Sequence, residues 1–257
     1  MSFSMKRIAV ALFLFFSLQA VSSMSLHAEN TASDNRSPTK TTNAENSRDK
    51  TGADSNDSFY SMSPSEFFEM AEVGEKIDLQ KIDHGLLSAS IFQETVRQRQ
   101  KHDRDPLENL PRLDEASRMH ARDMAEHDYV AHENPREKEL RTPLDRVQEV
   151  GLKGIRFVAE NVASEFGIRY EEGKAVLPME KNGDTEYYYK PGGKPIENHT
   201  YRSFAESLVD AWMNSPGHRK NILSEKPEFL GAGCSMGDEE KGLVKFYCVQ
   251  LFFDRFG

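Results

Sequence analysis

TYRSFAESLVDAWMNSPGHRKNIL, residues 200–223, carries the strongest helical signal in the chain and then breaks it. Tyr201, Phe204, Ala205, Leu208, Val209 and Trp212 recur at intervals of three and four, the spacing that lines one face of an α-helix. Ser215-Pro216-Gly217 ends the run, because proline cannot continue a helix and glycine favours the break. Residues 200–214 therefore read as one amphipathic helix with a face to bury.

Downstream, about Phe229 to Met236 and Val244 to Phe253 read as two strands joined by the polar turn Gly237 to Gly242. The second is apolar at nearly every position, which suits a central strand covered on both faces. Upstream, Leu87, Ile91, Phe92 and Val96 mark a helix from about Leu86 to Gln100. Leu113, Ala116, His120 and Met124 mark another from Asp114 to about Glu126. Ser63-Pro64-Ser65-Glu66 and Thr142-Pro143-Leu144-Asp145 are capping boxes with proline at the first helical position. They open short helices that stop before Gly74 and at Gly151. Residues 169–196 interrupt the series. There Tyr187-Tyr188-Tyr189, ahead of Pro191-Gly192-Gly193, reads as an inserted hairpin, either an aromatic lip for a ligand or a ribbon packing one face. Helices on both faces of a small antiparallel sheet follow from this order: an α+β domain over 85–257, with a helical extension at 59–84.

The N-terminus has another character. Lys6 and Arg7 precede the apolar run Ile8 to Val21, and small residues follow, with cleavage positions after Ala20, Ser23 or Ala28. This is the pattern of a secretory signal peptide over 1–28, too short for a comfortable mature membrane span. No cysteine lies there to take a lipid. Residues 29–58 are Asn, Ser, Thr, Asp and Lys with almost nothing apolar, a linker expected to stay disordered because it cannot bury enough surface to offset its ordering entropy. The product is expected to be secreted or periplasmic, with no mature transmembrane segment. The net charge of −9 over 257 residues argues against an electrostatic grip on nucleic acid. Cys234 and Cys248 fall on the two C-terminal strands, and in an oxidising compartment they are either a disulfide or two buried thiols.

None of the compact catalytic signatures occurs, whether H-E-x-x-H, G-x-S-x-G, a Walker loop or C-x-x-C. Three polar residues stand out on expected loops beside Pro or Gly. They are His132 in Ala131-His132-Glu133-Asn134-Pro135, Glu160 in Ala159-Glu160-Asn161-Val162-Ala163, and His218 between Trp212 and Arg219. At these residues the chain resembles the CAP superfamily (cysteine-rich secretory proteins, antigen 5 and pathogenesis-related proteins) in its short bacterial-type form. The resemblance also runs through Leu113-Asp114-Glu115-Ala116, His120 to Ala125, Thr142 to Arg146 with Gly151, Trp212 to Leu223, Gly231-Ala232-Gly233 and Val249 to Phe252. It spans about Gly85 to Gly257 around the insertion.

That resemblance implies a three-layer α-β-α sandwich with a small antiparallel central sheet. It also implies a cleft lined by two His and two Glu, a tetrad that in some members holds a divalent metal. His132, Glu160 and His218 occupy three of the four positions. At the fourth, three residues after Trp212, stands Ser215, with Glu206 and Asp210 as the carboxylates upstream on the same helix. Neutral imidazoles bind zinc or copper well, and a carboxylate can either complete the shell or orient a histidine through its second nitrogen. Three protein ligands and a water would make a hydrolytic zinc site. A hydrogen-bonded network pinning three segments to the sheet explains the same residues. His120, Asp123 and His127 share a helical face at metal-compatible spacing, but His120 falls on the apolar stripe and reads as a core histidine. His199 reads as a surface residue or a cap neighbour.

Three functions of different class stay open. The preferred one is a secreted binding or interaction module whose cleft takes a lipid, peptide or glycan; family members are associated with sterol and lipid binding. The second is a metal-assisted hydrolase using His132 and His218, with Glu160 as base or orienter. The third is an envelope or host-interaction protein with a vestigial cleft, since fold alone does not assign function.

Overall fold

The computed structural model describes residues 58–171, 173–181, 184–237 and 243–256. The expected signal peptide and nearly all of the expected linker lie outside the described residues, as does most of the turn between the last two strands. The helices are α1 (Pro64–Glu69), α2 (His84–Lys101), α3 (Pro111–His127), α4 (Pro143–Glu149), α5 (Tyr201–Asn214) and α6 (Pro216–Ile222). Both expected capping boxes close, at Ser63 with Glu66 and at Thr142 with Asp145. The strands are β1 (Glu108–Asn109), β2 (Ile155–Phe166), β3 (Leu177–Lys181), β4 (Asp184–Tyr188), β5 (Phe229–Met236) and β6 (Lys245–Arg255).

The main sheet has the order β1-β5-β6-β2 and is antiparallel apart from the short β1–β5 pairing. β6 is central, as its apolar run requires, and its alternation divides the interior into two layers. Phe246, Cys248 and Phe252 join the cluster built with α2 and α5; Tyr247, Val249, Leu251 and Phe253 join the one built with α3 and Val147 of α4. The result is a three-layer α-β-α sandwich. α3 lies so close to β5 that a Cβ on Gly231 would stand 2.3 Å from Leu113 Cβ, and one on Gly233 would stand 2.6 Å from Arg118 Cγ. Glycine is what lets this layer close. Cys234 and Cys248 are cross-strand partners joined by a disulfide, with their Cα atoms 4.2 Å apart.

Two features depart from the sequence reading. Residues expected to be a loop around Glu160 form the twelve-residue strand β2. The consecutive polar pair Glu160-Asn161 hides its alternation, yet both residues are buried because each points into a different layer. His218, also expected on a loop, lies on α6. The insertion is a hairpin as expected, β3 with β4, but Tyr187 and Tyr188 on its two faces are both buried.

The extension at 59–84 shares the main core. Phe67, Phe68, Val73 and Ile77 belong to the α2–α5 cluster. Gln93 of α2 donates to Phe59 O at 2.6 Å and Met62 O at 3.1 Å. Tyr60 reaches across to Asp114 on α3 at 3.1 Å, and Asp114 also accepts from Asn109 Nδ2 at 3.1 Å and the Ala232 N–H at 2.8 Å. Burial outweighs these donors and pushes the Asp114 carboxyl up to about 6. A folded-state value above the unfolded one stabilises the protein most in acid, and the contribution disappears as pH rises from 3.8 through about 6. The stability of the natural chain minus that of Asp114→Asn, read from urea midpoints, should therefore fall across that window. A difference independent of pH would show Asp114 to be an ordinary ionised acid.

Candidate functional site

β2 places Glu160 and Asn161 on opposite faces of the sheet. Glu160 pairs with Leu251 and faces the α3–α4 layer, while Asn161 pairs with Gln250 and faces the α2–α5–α6 layer. Each residue then holds one histidine-bearing segment.

On the first face, Glu160 Oε1 accepts from His132 Nδ1 at 2.9 Å and Oε2 accepts from the Arg146 guanidinium at 2.6 Å. The two charged side chains are each 1% exposed. Arg146 also donates to the carbonyls of His132, Leu140 and Arg141 at 3.0, 2.9 and 3.2 Å, fastening the 132–141 loop to the sheet. Burial alone would raise the Glu160 carboxyl, but the Arg146 charge and the His132 bond outweigh it and hold it below the usual glutamate range. An ionised carboxylate accepting from Nδ1 orients the ring and turns Nε2 away from Glu160. That ring is 39% exposed.

On the second face, Asn161 Nδ2 donates to His218 O at 3.3 Å and Gln250 Oε1 at 3.0 Å. Asn221 Nδ2 donates to Asn161 Oδ1 at 2.9 Å and Glu160 O at 3.2 Å, and Gln250 Nε2 donates to Thr95 Oγ1 at 2.7 Å. This amide network anchors α6, which starts afresh at Pro216 after the Ser215 break, and it carries His218 to the rim of β2. Burial, reinforced by repulsion from nearby His132, pushes the His218 imidazole down to about 4. The ring is therefore neutral at physiological pH. One histidine-bearing segment is thus held on each face of β2, and the two rings are near enough for their charges to interact.

Glu160 has both oxygens engaged, one with His132 and one with Arg146. Glu206 pairs with Arg97 at 2.9 Å, and Asp210 accepts from Gln98 Nε2 at 3.3 Å, so both carboxylates on α5 face α2. Among the described residues no group of three or more His, Cys, Asp or Glu stands ready to hold a metal ion. The donor set does not fit the three-ligand zinc arrangement. The other histidine stripe is divided as well. His120 Nε2 bonds Ala131 O at 2.7 Å in the core, while His127 turns to the Asp123 backbone and carboxylate. His199 is buried rather than on the surface, with Nδ1 at 2.9 Å from Ser203 Oγ inside the α5 capping box.

Sequence reasoning passed over Arg146, Asn161, Asn221 and Gln250 as site residues. Arg146 did leave a signal: it adjoins Val147 and sits one turn before Val150, and an arginine on an inward stripe calls for a buried acid. Gln250 between Val249 and Leu251 is a similar signal within an apolar strand.

The profile of the cysteine-rich secretory protein family, CAP, matches residues 94–252. "Uncharacterized protein YkwD" of Bacillus subtilis (strain 168) is 26% identical over 139 residues, which is 54% of this chain and 38% of that protein. This chain thus spans well under half the length of that relative. Among solved structures, the extracellular SCP-domain protein of Bacillus anthracis str. Ames matches 66% of this chain and 41% of its own at 22% identity, with a TM-score of 0.42. An outer surface protein of Borrelia burgdorferi matches 65% of this chain and 90% of its own at 17% identity, with a TM-score of 0.41. The profile covers more than half of the chain and contains His132, Glu160 and His218. This chain belongs to the cysteine-rich secretory protein family.

Proposed function

We propose that this chain is an exported binding module whose cleft, between His132 and His218, takes a ligand through its amide or hydroxyl groups. The carrying observation is the buried Glu160–Arg146 pair. It neutralises its own charge, sets His132 with Nε2 outward, and leaves beside it a His218 ring that is uncharged at neutral pH. Such a surface suits the hydrogen-bonding groups of a peptide, a glycan or the polar end of a lipid better than a phosphate or a nucleic acid. The signal-like residues 1–28 and the disulfide support export to a secreted or periplasmic location. Among the described residues, no helix is long and apolar enough to cross a membrane.

A second reading has one observation in its favour. A histidine oriented through Nδ1 by a buried carboxylate is also the arrangement of a general base. One set of measurements separates the readings. Titration of the full chain with peptide, glycan and lipid fractions should shift the His132 and His218 ring-nitrogen resonances. His132→Ala and His218→Ala should each weaken ligand binding. Stoichiometric metal in the purified protein, lost in both variants together with hydrolytic activity, would replace the binding module with the metal-assisted hydrolase. If neither variant changes binding or metal content, the cleft is vestigial and the protein acts by displaying its loops.

A further inference from the structure

Among the described residues β2 is an edge strand, paired with β6 on one side only. Its register fixes which backbone groups face outward. The Gly167 N–H bonds Val244 O at 2.8 Å, so alternate residues back through Glu165, Ala163 and Asn161 direct their N–H and C=O toward β6. Val162, Ser164 and Phe166, like Glu160, direct theirs away. Two of these outward groups are capped by side chains: Glu160 O accepts from Asn221 Nδ2 at 3.2 Å, and the Phe166 N–H donates to Glu165 Oε1 at 2.9 Å. Between the caps, the outward backbone groups of Val162 and Ser164 have no hydrogen-bond partner among the described residues. Ser164 is exposed.

Proteins commonly guard such an edge with lysine, proline or a bulge. The hairpin strand β3 carries Pro178, Glu180 and Lys181, whereas the Val162–Ser164 window has none of these devices and lies within a uniform register. We infer that this window is a docking edge at which an extended peptide segment of a partner protein pairs with β2. The unpaired N–H and C=O groups demand the alternating donors and acceptors that a β-strand supplies, and a glycan or a lipid chain does not. The window begins two residues from Glu160, so a docked strand runs beside the cleft. The inference deepens the binding-module reading by naming a peptide, yet its contacts are backbone groups of β2 rather than the imidazoles, so either can fail alone.

The test uses the full-length mature chain and short linear peptides selected on it from a displayed random library. In the free protein, the amide of the exposed Ser164 should exchange hydrogen rapidly while those of Asn161 and Ala163 are protected, and peptide should protect Ser164. Ser164→Pro removes an N–H that the sheet does not use, so it should leave the fold intact and weaken peptide binding about tenfold. Should that variant misfold, backbone N-methylation of the peptide at alternate residues gives the same answer: one methylation register should abolish binding and the other spare it. The inference is overturned if no peptide is selected, if Ser164→Pro binds as tightly as the natural chain, or if the Ser164 amide is already protected. A concentration-dependent dimer lost in Ser164→Pro would assign the edge to a second copy and overturn it too. Peptide that protects the edge without moving the imidazole resonances supports this inference and sinks the cleft reading; the reverse pattern does the opposite.

Discussion

Replacing Arg146 by alanine should destabilise the fold by roughly 3–5 kcal/mol, the usual result of leaving one member of a buried ion pair alone. The reason is local. Arg146 and Glu160 are each 1% exposed, and no solvent stands ready to take over the carboxylate. The same change frees three carbonyls of the 132–141 loop, so His132 should lose its fixed orientation together with the stability. Arg146→Lys should recover only part of the loss, because one ammonium cannot reproduce a planar fork that serves four acceptors. The double variant Arg146→Met/Glu160→Leu should recover most of it, since a buried apolar pair carries no charge to desolvate. Acid gives a further check. In the natural chain Glu160 is held below its ordinary value of 4.5, so its contribution is present above that value and is lost as pH falls through the folded-state value. In Arg146→Ala the uncompensated carboxyl is raised, so the variant gains relative stability on acidification, and the gap between the two should narrow below the glutamate range. A loss of under about 1 kcal/mol, typical of an exposed pair, would show that water reaches Glu160 and that the pair does not hold the 132–141 loop.

Phe67→Ala should cost roughly 3–5 kcal/mol, and removal of residues 58–84 should abolish cooperative folding. Phe67 is fully buried and packs edge-on against Phe59 and Phe68, with ring centroids 5.9 and 5.3 Å away. Phe68 lies under the guanidinium of Arg97 from α2 and that of Arg202 from α5. Without the extension, Leu86, Leu87, Phe92, Tyr201 and Phe204 lose cover, an apolar patch that a soluble monomer rarely exposes. Since the family profile starts at residue 94, a domain trimmed to it would lack this layer and the first half of α2. Urea unfolding of Phe67→Ala and of a chain starting at residue 85 checks both statements. A soluble truncated chain with an unchanged midpoint would show that the extension merely rests on the domain.

Helices α1 to α5, two of their capping boxes, the hairpin insertion and the central place of β6 were legible in the sequence, because each is written in local periodicity or in residues that start and stop a helix; α6 was not. The motifs, taken in order, were also enough to suggest the family. β2 was not legible, since its two middle residues are polar and consecutive. Only the pairing with β6 reveals that Glu160 serves one layer and Asn161 the other.

His132, Glu160 and His218 were singled out from the chain alone, but their hydrogen-bond partners were not. Which oxygen faces which nitrogen, whether a carboxylate is free to bind a metal, and whether an imidazole holds a proton all depend on neighbours in space. Arg146 approaches Glu160, and Asn221 approaches Asn161, only after the helical layers close on the sheet. Tertiary structure decided those questions because charge, desolvation and hydrogen-bond geometry act over a few ångströms, whatever the distance along the chain.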